Sequence, residues 1–274
     1  MRKHKQELFP ALSTFSDGAL FLECFLRLVY NPTDIKNERA KTMKIRKGVQ
    51  KIYTEVAHSY EMINHIMTLG LDIRWRKKAA REASRKGGSL WLDICSGTGE
   101  MAGYLSAFSD GSIKIFAVDF SLPMMQKLMQ KDYAFNLFPV IAEAAVLPFP
   151  DDSFDLLTIS FATRNLNPRK EILESYIEEF RRVLKPGGRF VNLETSQPSI
   201  RIIKWLFHFY VEGIVKPLGG ILSGSRSGYR YLSYTIPRFY GPDEFADILL
   251  KSGFSDVEYR TFLFGISALH VATK

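Results

Sequence analysis

From residue 89 onward the chain alternates between short β-rich runs and stretches of helical composition. Ser89–Ile94, Ile113–Asp119, Leu137–Ala142, Phe154–Phe161 and Arg189–Thr195 are five runs of strand length, rich in apolar, β-branched and aromatic residues. Met101–Phe108, Pro123–Lys131 and Pro168–Leu184 lie between them with helical composition. Asn167 followed by Pro168 predicts a cap and first helical residue, and Lys185-Pro186-Gly187-Gly188 predicts the stop. Such alternation predicts a parallel sheet with helices on both faces. Ligands bind such sheets beyond the carboxyl ends of the strands, so the residues that end strands carry the functional weight.

Two segments depart from this rhythm. Ser199–Lys216, placed on a helix, gathers Arg201, Lys204, His208, Glu212 and Lys216 into an arc of roughly 120° and leaves nearly every other position apolar. A face that wide belongs to a helix wedged between protein layers, to the wall of a site for a greasy substrate, or to a membrane-contacting surface. Pro242–Lys274 predicts a helix over Asp243–Lys251, a stop at Gly253 and two strands around Gly265, a hairpin closing the sheet edge. Near the start, Ala19–Tyr30 is apolar except for Glu23 and Arg27, which stand four apart and can pair across one turn; Asn31-Pro32 ends it. It is too short to span a bilayer, and its charges and the lack of a small-residue cleavage site argue against a signal peptide. Residues 1–48 are read as a helical extension, a membrane or docking element, and residues 49–274 as the main domain.

Composition narrows the class. A chain of 274 residues with 46% hydrophobic and 24% charged residues can bury one large core. Cys24 and Cys95 are its only cysteines, too few for a disulfide framework or a Cys-rich zinc site, and no long uncharged apolar run predicts a transmembrane helix. The net charge of +8 is local: residues 1–90 hold 18 Lys/Arg against 9 Asp/Glu, and the remainder holds 19 against 20. The cations cluster between Lys36 and Lys51 and between Arg74 and Lys86. Such clusters are either solvated helix faces or sites for a polyanion, lipid head groups or nucleic acid.

The candidate chemistry starts where the first strand meets the first helix. Leu92-Asp93-Ile94-Cys95-Ser96-Gly97-Thr98-Gly99-Glu100 places Gly97 and Gly99 in a turn that opens a helix, where free N–H groups face an anionic ligand group. Asp119 ends the second strand, where a carboxylate can accept two charge-assisted hydrogen bonds from a ribose diol. Gly97-Thr98-Gly99-Glu100-Met101-Ala102 also satisfies the relaxed dinucleotide pattern, so NAD and an adenosyl ligand both fit these residues. Asp93 at the strand end, Glu143 after the third strand, Leu147 to Asp155 ahead of the fourth, and Leu184 to Arg189 ahead of the fifth together resemble the class I S-adenosylmethionine-dependent methyltransferases.

Thr158-Ile159-Ser160-Phe161-Ala162-Thr163-Arg164-Asn165 narrows the resemblance to the quinone-biosynthesis C-methyltransferases, which methylate demethylmenaquinone and the benzoquinol precursor of ubiquinone. Val56 through Asn64, Gly70 through Trp75, Gly228 through Leu232 and Gly265 through His270 are similar as well, and the likeness covers about residues 49–274. It implies a Rossmann-like methyltransferase domain: α/β, a doubly wound, mostly parallel seven-stranded sheet with an antiparallel terminal strand, extra N-terminal helices and a helical insertion after the fifth strand. It also implies that Asp93, Gly97, Thr98, Gly99, Asp119, Glu143, Ala144 and Ser160 serve S-adenosyl-L-methionine, and that Tyr60, Arg164 and Asn165 serve catalysis on the substrate side. Cys95-Ser96, Glu100, Glu143 and Ala162 depart from the residues usual in the family.

The reaction so implied is methyl transfer to a ring carbon of a prenylated quinol. Arg164 would supply positive charge and hold a proton-accepting water, with Asn165 and Tyr60 orienting the ring oxygen; the bland reading of Arg164 is an ion pair with an acid at the sheet edge. No metal is expected, because no histidine has ligand spacing with another His, Cys or carboxylate cluster. His58 and His65 read as packing or surface residues, Tyr60 as either a site residue or a core aromatic, and His270 as a satisfied structural histidine. The expected partners are a hydrophobic prenylated aromatic and an anionic membrane surface. A cytoplasmic protein, peripheral at the inner face of the membrane, follows, with a homodimer left open. Another hydrophobic small molecule is the alternative substrate. No nucleic-acid partner is expected, since the fourth strand ends in neither an Asn-Pro-Pro-aromatic loop nor a Pro-Cys nucleophile.

Overall fold

The computed structural model describes Gly48, residues 60–131 and residues 136–274. The helix expected over Ala19–Tyr30 and the basic cluster from Lys36 to Lys51 lie outside the described residues. Two helices lead in, α1 (Tyr60–Met67) and α2 (Leu71–Ala83), joined by a tight turn in which Leu69 and Gly70 both take positive φ. The alternating core follows as β1 (Leu90–Ile94), α3 (Glu100–Phe108), β2 (Lys114–Asp119), α4 (Leu122–Gln130), β3 (Leu137–Ile141), β4 (Phe154–Ser160), α5 (Lys170–Val183) and β5 (Leu184–Thr195). An all-helical insertion comes next: α6 (Arg201–Tyr210), a π turn over Val211–Val215, α7 (Lys216–Ser223) and α8 (Arg226–Thr235). The chain closes with α9 (Pro242–Lys251), β6 (Asp256–Phe262) and β7 (Ser267–Thr273).

The strands form one seven-stranded sheet in the order β3-β2-β1-β4-β5-β7-β6. All neighbours are parallel except β5–β7 and β6–β7, so β7 runs against the rest, as the sequence predicts. The order reverses at β1 and β4, and the cleft above their tips is where such sheets take ligands. Strand alternation sends Leu92 and Ile94 to one face with Val118, where Ile177 and Phe180 of α5 and Phe245 and Leu249 of α9 cover them. Trp91 and Ile115 point the other way onto Trp75 and Ala79 of α2 and Met101 and Leu105 of α3. Both faces are buried, which is why the strands read as continuous apolar runs rather than alternating ones.

Three boundaries differ from expectation. Helix α5 begins at Lys170 with Arg169 as its cap residue, whose carbonyl accepts from the N–H groups of Ile172 and Leu173 at 3.1 Å each; Asn167 and Pro168 precede the helix. Strand β5 begins at Leu184, taking in the Pro-Gly-Gly run through an irregular register with β4. The insertion helix does not stop at Lys216. Pro217 has no N–H and would crowd the carbonyl four residues back, and the π turn just before it carries the helix past that point to Ser223. Gly219 then lets α8 approach, because a Cβ there would lie 2.1 Å from the Tyr229 ring. No helix among the described residues is long and apolar enough to cross a membrane.

His270 on β7 is buried, pairs its Nε2 with the Pro242 carbonyl at 2.9 Å, and packs edge-on against Phe245. Burial holds its pKa down at about 4. It is a neutral structural histidine, as expected, but satisfied at one nitrogen only: its Nδ1 is buried with no hydrogen-bond partner among the described residues.

Candidate active site

The turn after β1 is built by backbone torsion. Cys95 and Gly97 have φ of 52° and 57°, Gly99 stands at the N-cap of α3 with φ of 83°, and nothing lies within 4 Å of where a Gly97 side chain would be. Gly97 thus presents open space at the strand tip, while its N–H group turns to Asp119. Asp119, at the tip of β2, steadies the turn: its Oδ2 accepts from the Gly97 N–H at 2.9 Å and its Oδ1 from the Ser121 N–H at 2.8 Å. Burial raises its pKa despite those donors. Each carboxylate oxygen has a second lone pair, so the acid can accept further bonds.

A cleft runs over these tips. Gly97, Thr98, Asp119, Glu143, Ala144 and Ser160, six of the eight residues expected at a cofactor, line it. Asp93 and Gly99 do not. Asp93 lies beneath the turn, accepting from Thr158 Oγ1 at 2.6 Å and Ser96 Oγ at 2.7 Å. Thr98 turns its hydroxyl to Glu61 of α1, whose carboxyl lies below the ordinary range because Lys131 and Thr98 outweigh its burial.

Burial lifts the Asp93 pKa to about 6, although Thr158 and Ser96 pull the other way. A folded-state value above the unfolded one means the native protein holds the proton more tightly. That contribution to stability is full below about pH 4 and is lost as pH rises through about 6. Asp93→Asn keeps an acceptor for Thr158 and removes the buried charge. It is expected to stabilise the fold at pH 8 by about 2–3 kcal/mol, with the gap closing toward pH 4. Thermal midpoints of both proteins across that range check this; a variant less stable at pH 8 would mean the ionised carboxylate is favourably held.

The substrate-side residues separate. Beyond β4, Phe161 takes φ of 54°, a strained conformation for an aromatic residue, and leads into a single helical turn over Thr163–Leu166. Arg164 donates from Nη1 to the Phe161 carbonyl and to Glu194 Oε1, both at 2.7 Å, and its backbone N–H reaches Glu194 Oε2 at 3.1 Å. The ion pair with an acid of the sheet is therefore present and buried, and Arg164 also lines a second cavity of about 550 Å³. Asn165 lines the first cleft instead. Tyr60 opens α1, but its side chain lies outside the described residues.

The second cavity is apolar. Met67 of α1, Trp75 of α2, and Phe207, Val211, Val215 and Tyr229 of the insertion wall it, so one side of the wide apolar face of α6 is spent on it. Ile202, Trp205 and Phe209 on α6 remain exposed, the last two at 60% and 61%. Arg76 and Phe161 line both cavities, and there the two meet.

Arg76 belongs to a cluster that the sequence reading missed. Its Nη1 sits 2.6 Å from Asp72 Oδ2 and 3.4 Å from Glu100 Oε2, while His65 lies 2.9 Å from Asp72 and 3.4 Å from Glu100. Burial raises the Asp72 pKa, but Thr68 and Arg76 outweigh it and hold the acid below its ordinary value. His65 is therefore neither a packing nor a free surface residue. His65, Asp72 and Glu100 bring ligand-type atoms within 4.8 Å of one another, with the Arg76 guanidinium already supplying the positive charge. The i,i+4 pair of Asp72 and Arg76 was a legible signal, hidden inside the basic cluster. Arg74, Lys77, Lys78, Arg81, Arg85 and Lys86 of that cluster are exposed, and Arg76 alone is buried.

The charge of the first cleft decides between its two candidate ligands. Glu100, Asp119 and Glu143 face Arg76 alone, a net negative lining that suits a cationic sulfonium nucleoside and repels the pyrophosphate of NAD. Sheet order and cleft define an S-adenosylmethionine-dependent methyltransferase of Rossmann-like fold. The fold is shared with a SAM-dependent methyltransferase of Thermotoga maritima (TM-score 0.56, 19% identity, 82% of this chain and 99% of that one). It is shared also with one of Aquifex aeolicus (TM-score 0.51, 20% identity, 72% and 88%). The chain belongs to the ubiE/COQ5 methyltransferase family, whose model matches residues 36–274. It is 32% identical over 253 residues to the ubiquinone/menaquinone biosynthesis C-methyltransferase UbiE of Geobacter sulfurreducens, covering 90% of this chain and 97% of that one. It is 34% identical over 225 residues to the demethylmenaquinone methyltransferase of Thermus thermophilus, covering 81% and 100%.

Proposed function

We propose that this enzyme methylates a ring carbon of a prenylated quinol, of the demethylmenaquinol or ubiquinol-precursor type, using S-adenosylmethionine. The observation that carries the reading is the apolar cavity of about 550 Å³ that meets the cofactor cleft at Arg76 and Phe161 and has Arg164 in its wall. A cavity of that size takes a ring and the first units of its tail. The rest of the tail leaves by a mouth where Leu206, Leu263 and Phe264 are exposed. Residues 49–274 form the catalytic domain and residues 1–48 an added extension.

Bound S-adenosylmethionine supplies an electrophilic methyl group on a positively charged sulfur. Asp119 would hold the ribose, and Gly97, Thr98, Ala144 and Ser160, which line the same cleft, would hold the rest of the nucleoside. The quinol hydroxyl next to the target carbon gives its proton to a water held against Arg164, whose guanidinium stabilises the oxyanion left behind. Glu194 and the Phe161 carbonyl fix that guanidinium, so little reorganisation is needed as charge develops. Asn165, between cleft and turn, and Tyr60 orient the ring. The ring carbon would take the methyl group as the methyl–sulfur bond breaks and the sulfonium becomes a neutral thioether. The carbon's hydrogen would then pass as a proton to water while the ring oxygen regains one, which restores the aromatic quinol. Incubation with methyl-deuterated S-adenosylmethionine and extracted quinols, followed by mass spectrometry, is expected to find the label on a ring carbon of a lipid. Label found only as a methyl ether, or in protein or nucleic acid, would overturn the assignment.

The substrate also implies where the enzyme works. Each CH₂ moved from bilayer to water costs about 0.8 kcal/mol, so a long tail stays in the membrane while its head group reacts. Trp205 and Phe209 stack 5.9 Å apart on the exposed face of α6, and this face and the basic N-terminal quarter fit an anionic bilayer surface. Co-sedimentation with anionic vesicles is expected to weaken in high salt and to fall sharply in a Trp205→Glu, Phe209→Glu variant. Unchanged binding by that variant would remove α6 from the membrane contact.

A further inference from the structure

The turn that presents Arg164 and Asn165 is held by three consecutive residues of β5. The Asn192 side chain takes the Thr163 hydroxyl, the Leu193 carbonyl takes the Phe161 N–H at 2.7 Å, and Glu194 takes the Arg164 N–H and guanidinium. Asn192 and Glu194 stand two apart, so one face of the strand carries both side chains to the turn. Thr163, Asn192 and Glu194 are all buried. Glu194 is bonded through both of its oxygens, but Asn192 is half used: Oδ1 accepts from Thr163, while Nδ2 is buried with no partner among the described residues. A buried donor left bare is destabilising and calls for an explanation.

The explanation lies across the sheet. Asn192 stands directly opposite His270 in the antiparallel pairing of β5 with β7, and the buried Nδ1 of His270 is likewise without a partner among the described residues. The Pro242 carbonyl can only accept, so the His270 Nε2 carries the proton and Nδ1 is an acceptor. A donor and an acceptor are thus left on opposed residues, whose Cβ atoms stand about 4.5–5.5 Å apart in such pairs. One water spans such a gap and satisfies both.

We propose that Asn192 is a positioning residue for methyl transfer: it ties Thr163 on one side to His270, through one water, on the other, and so fixes the turn that carries Arg164 to the acceptor cavity and Asn165 to the cofactor cleft. The inference rests on the catalytic reading of Arg164. Thr163 is the residue next to Arg164, so the bond to Asn192 acts on its backbone directly. A misplacement of about 1 Å in a catalytic group can lower the rate roughly 100-fold.

Kinetics and calorimetry on the full chain test this. Asn192→Leu and Thr163→Val break the same bond from its two sides. Each is expected to lower kcat by roughly 10- to 100-fold, with KM for the quinol and affinity for S-adenosylmethionine within a few-fold of native. Thr163→Ser, which keeps the hydroxyl, should recover most of the turnover. Thr163→Val leaves the link to His270 in place and carries the test alone if Asn192→Leu fails to fold. A residue that acts through Arg164 has nothing left to position once Arg164 is replaced. Added to Arg164→Lys, either substitution should therefore change kcat by no more than about two-fold. Full additivity, or native kcat in the folded single variants, would overturn the proposal. The link to β7 has its own readout: the NMR signal of His270 Nδ1 should move in Asn192→Leu, and an unmoved signal would overturn that link. Failure of the catalytic reading shows separately, as native kcat in Arg164→Lys itself.

Discussion

Replacing Arg164 is expected to lower turnover by two or more orders of magnitude while leaving affinity for S-adenosylmethionine within a few-fold of native. The magnitude is that of removing a fixed donor from a developing oxyanion, about 10²- to 10³-fold. The split between turnover and affinity follows from position: Arg164 lines the acceptor cavity and is absent from the lining of the cofactor cleft. Alanine alone is an ambiguous test, because Glu194 would be left buried without its partner, and breaking a buried pair typically costs about 3–5 kcal/mol. Glu194 keeps the Thr195 N–H and hydroxyl as donors, at 2.7 Å and 2.9 Å, but these do not replace a cation. Two further variants separate chemistry from folding. Arg164→Gln with Glu194→Gln removes both charges together, and Arg164→Lys keeps the ion pair while replacing the planar five-donor guanidinium, whose Nη1 serves both Glu194 and the Phe161 carbonyl, by a compact ammonium. Both should keep a near-native thermal midpoint and bind cofactor, and both should turn over poorly. Normal turnover in a folded double-glutamine variant would reduce Arg164 to a structural ion pair, and so would a loss of cofactor affinity that matches the loss of turnover.

The sheet was legible because burial on both faces leaves an unmistakable run of apolar residues, and Gly97, Gly99 and Asp119 were legible because few residue types satisfy a tight turn or a strand-end acceptor. Boundaries were harder where backbone irregularity decides them: the helix read over Ser199–Lys216 continues through a π turn and past Pro217 to Ser223. The harder failure lay in charge. Arg76 reads in the sequence as one more cation in a run with Arg74, Lys77 and Lys78, and only the packing of α2 against the glycine turn buries it and leaves its neighbours exposed. His65 and Asp72 stand seven apart across a turn, a spacing that matches no motif, and they meet because Leu69 and Gly70 reverse the chain. Conversely, the ion-pair reading of Arg164 holds, and it leaves the proposed catalytic role open, since the guanidinium that pairs with Glu194 also lines the second cavity. A functional reading and a bland one exclude each other only where a side chain has one set of donors to give.

Asp119→Ala is expected to weaken S-adenosylmethionine binding by about 2–4 kcal/mol, roughly 30- to 1000-fold, if two ribose hydrogen bonds are lost. Part of any loss will come from the turn, because the same carboxylate holds the Gly97 and Ser121 N–H groups. Asparagine does not separate these effects, since its NH₂ would face one of those N–H donors. Ligands separate them: the native enzyme should bind S-adenosylmethionine more tightly than its 2′-deoxy analogue, and the Asp119→Ala enzyme should bind both alike. The pH dependence carries a second signature. Burial raises the pKa of Asp119, and a ribose diol donates to the ionised form, so binding must expel a proton from whatever fraction of Asp119 is protonated. Affinity should therefore fall as pH drops toward that raised pKa, beginning above the range of an ordinary aspartate, and the fall should be absent from the alanine variant. A native enzyme that does not distinguish the deoxy analogue, with the same pH profile as the variant, would leave Asp119 as a brace for the turn and move the ribose elsewhere in the cleft.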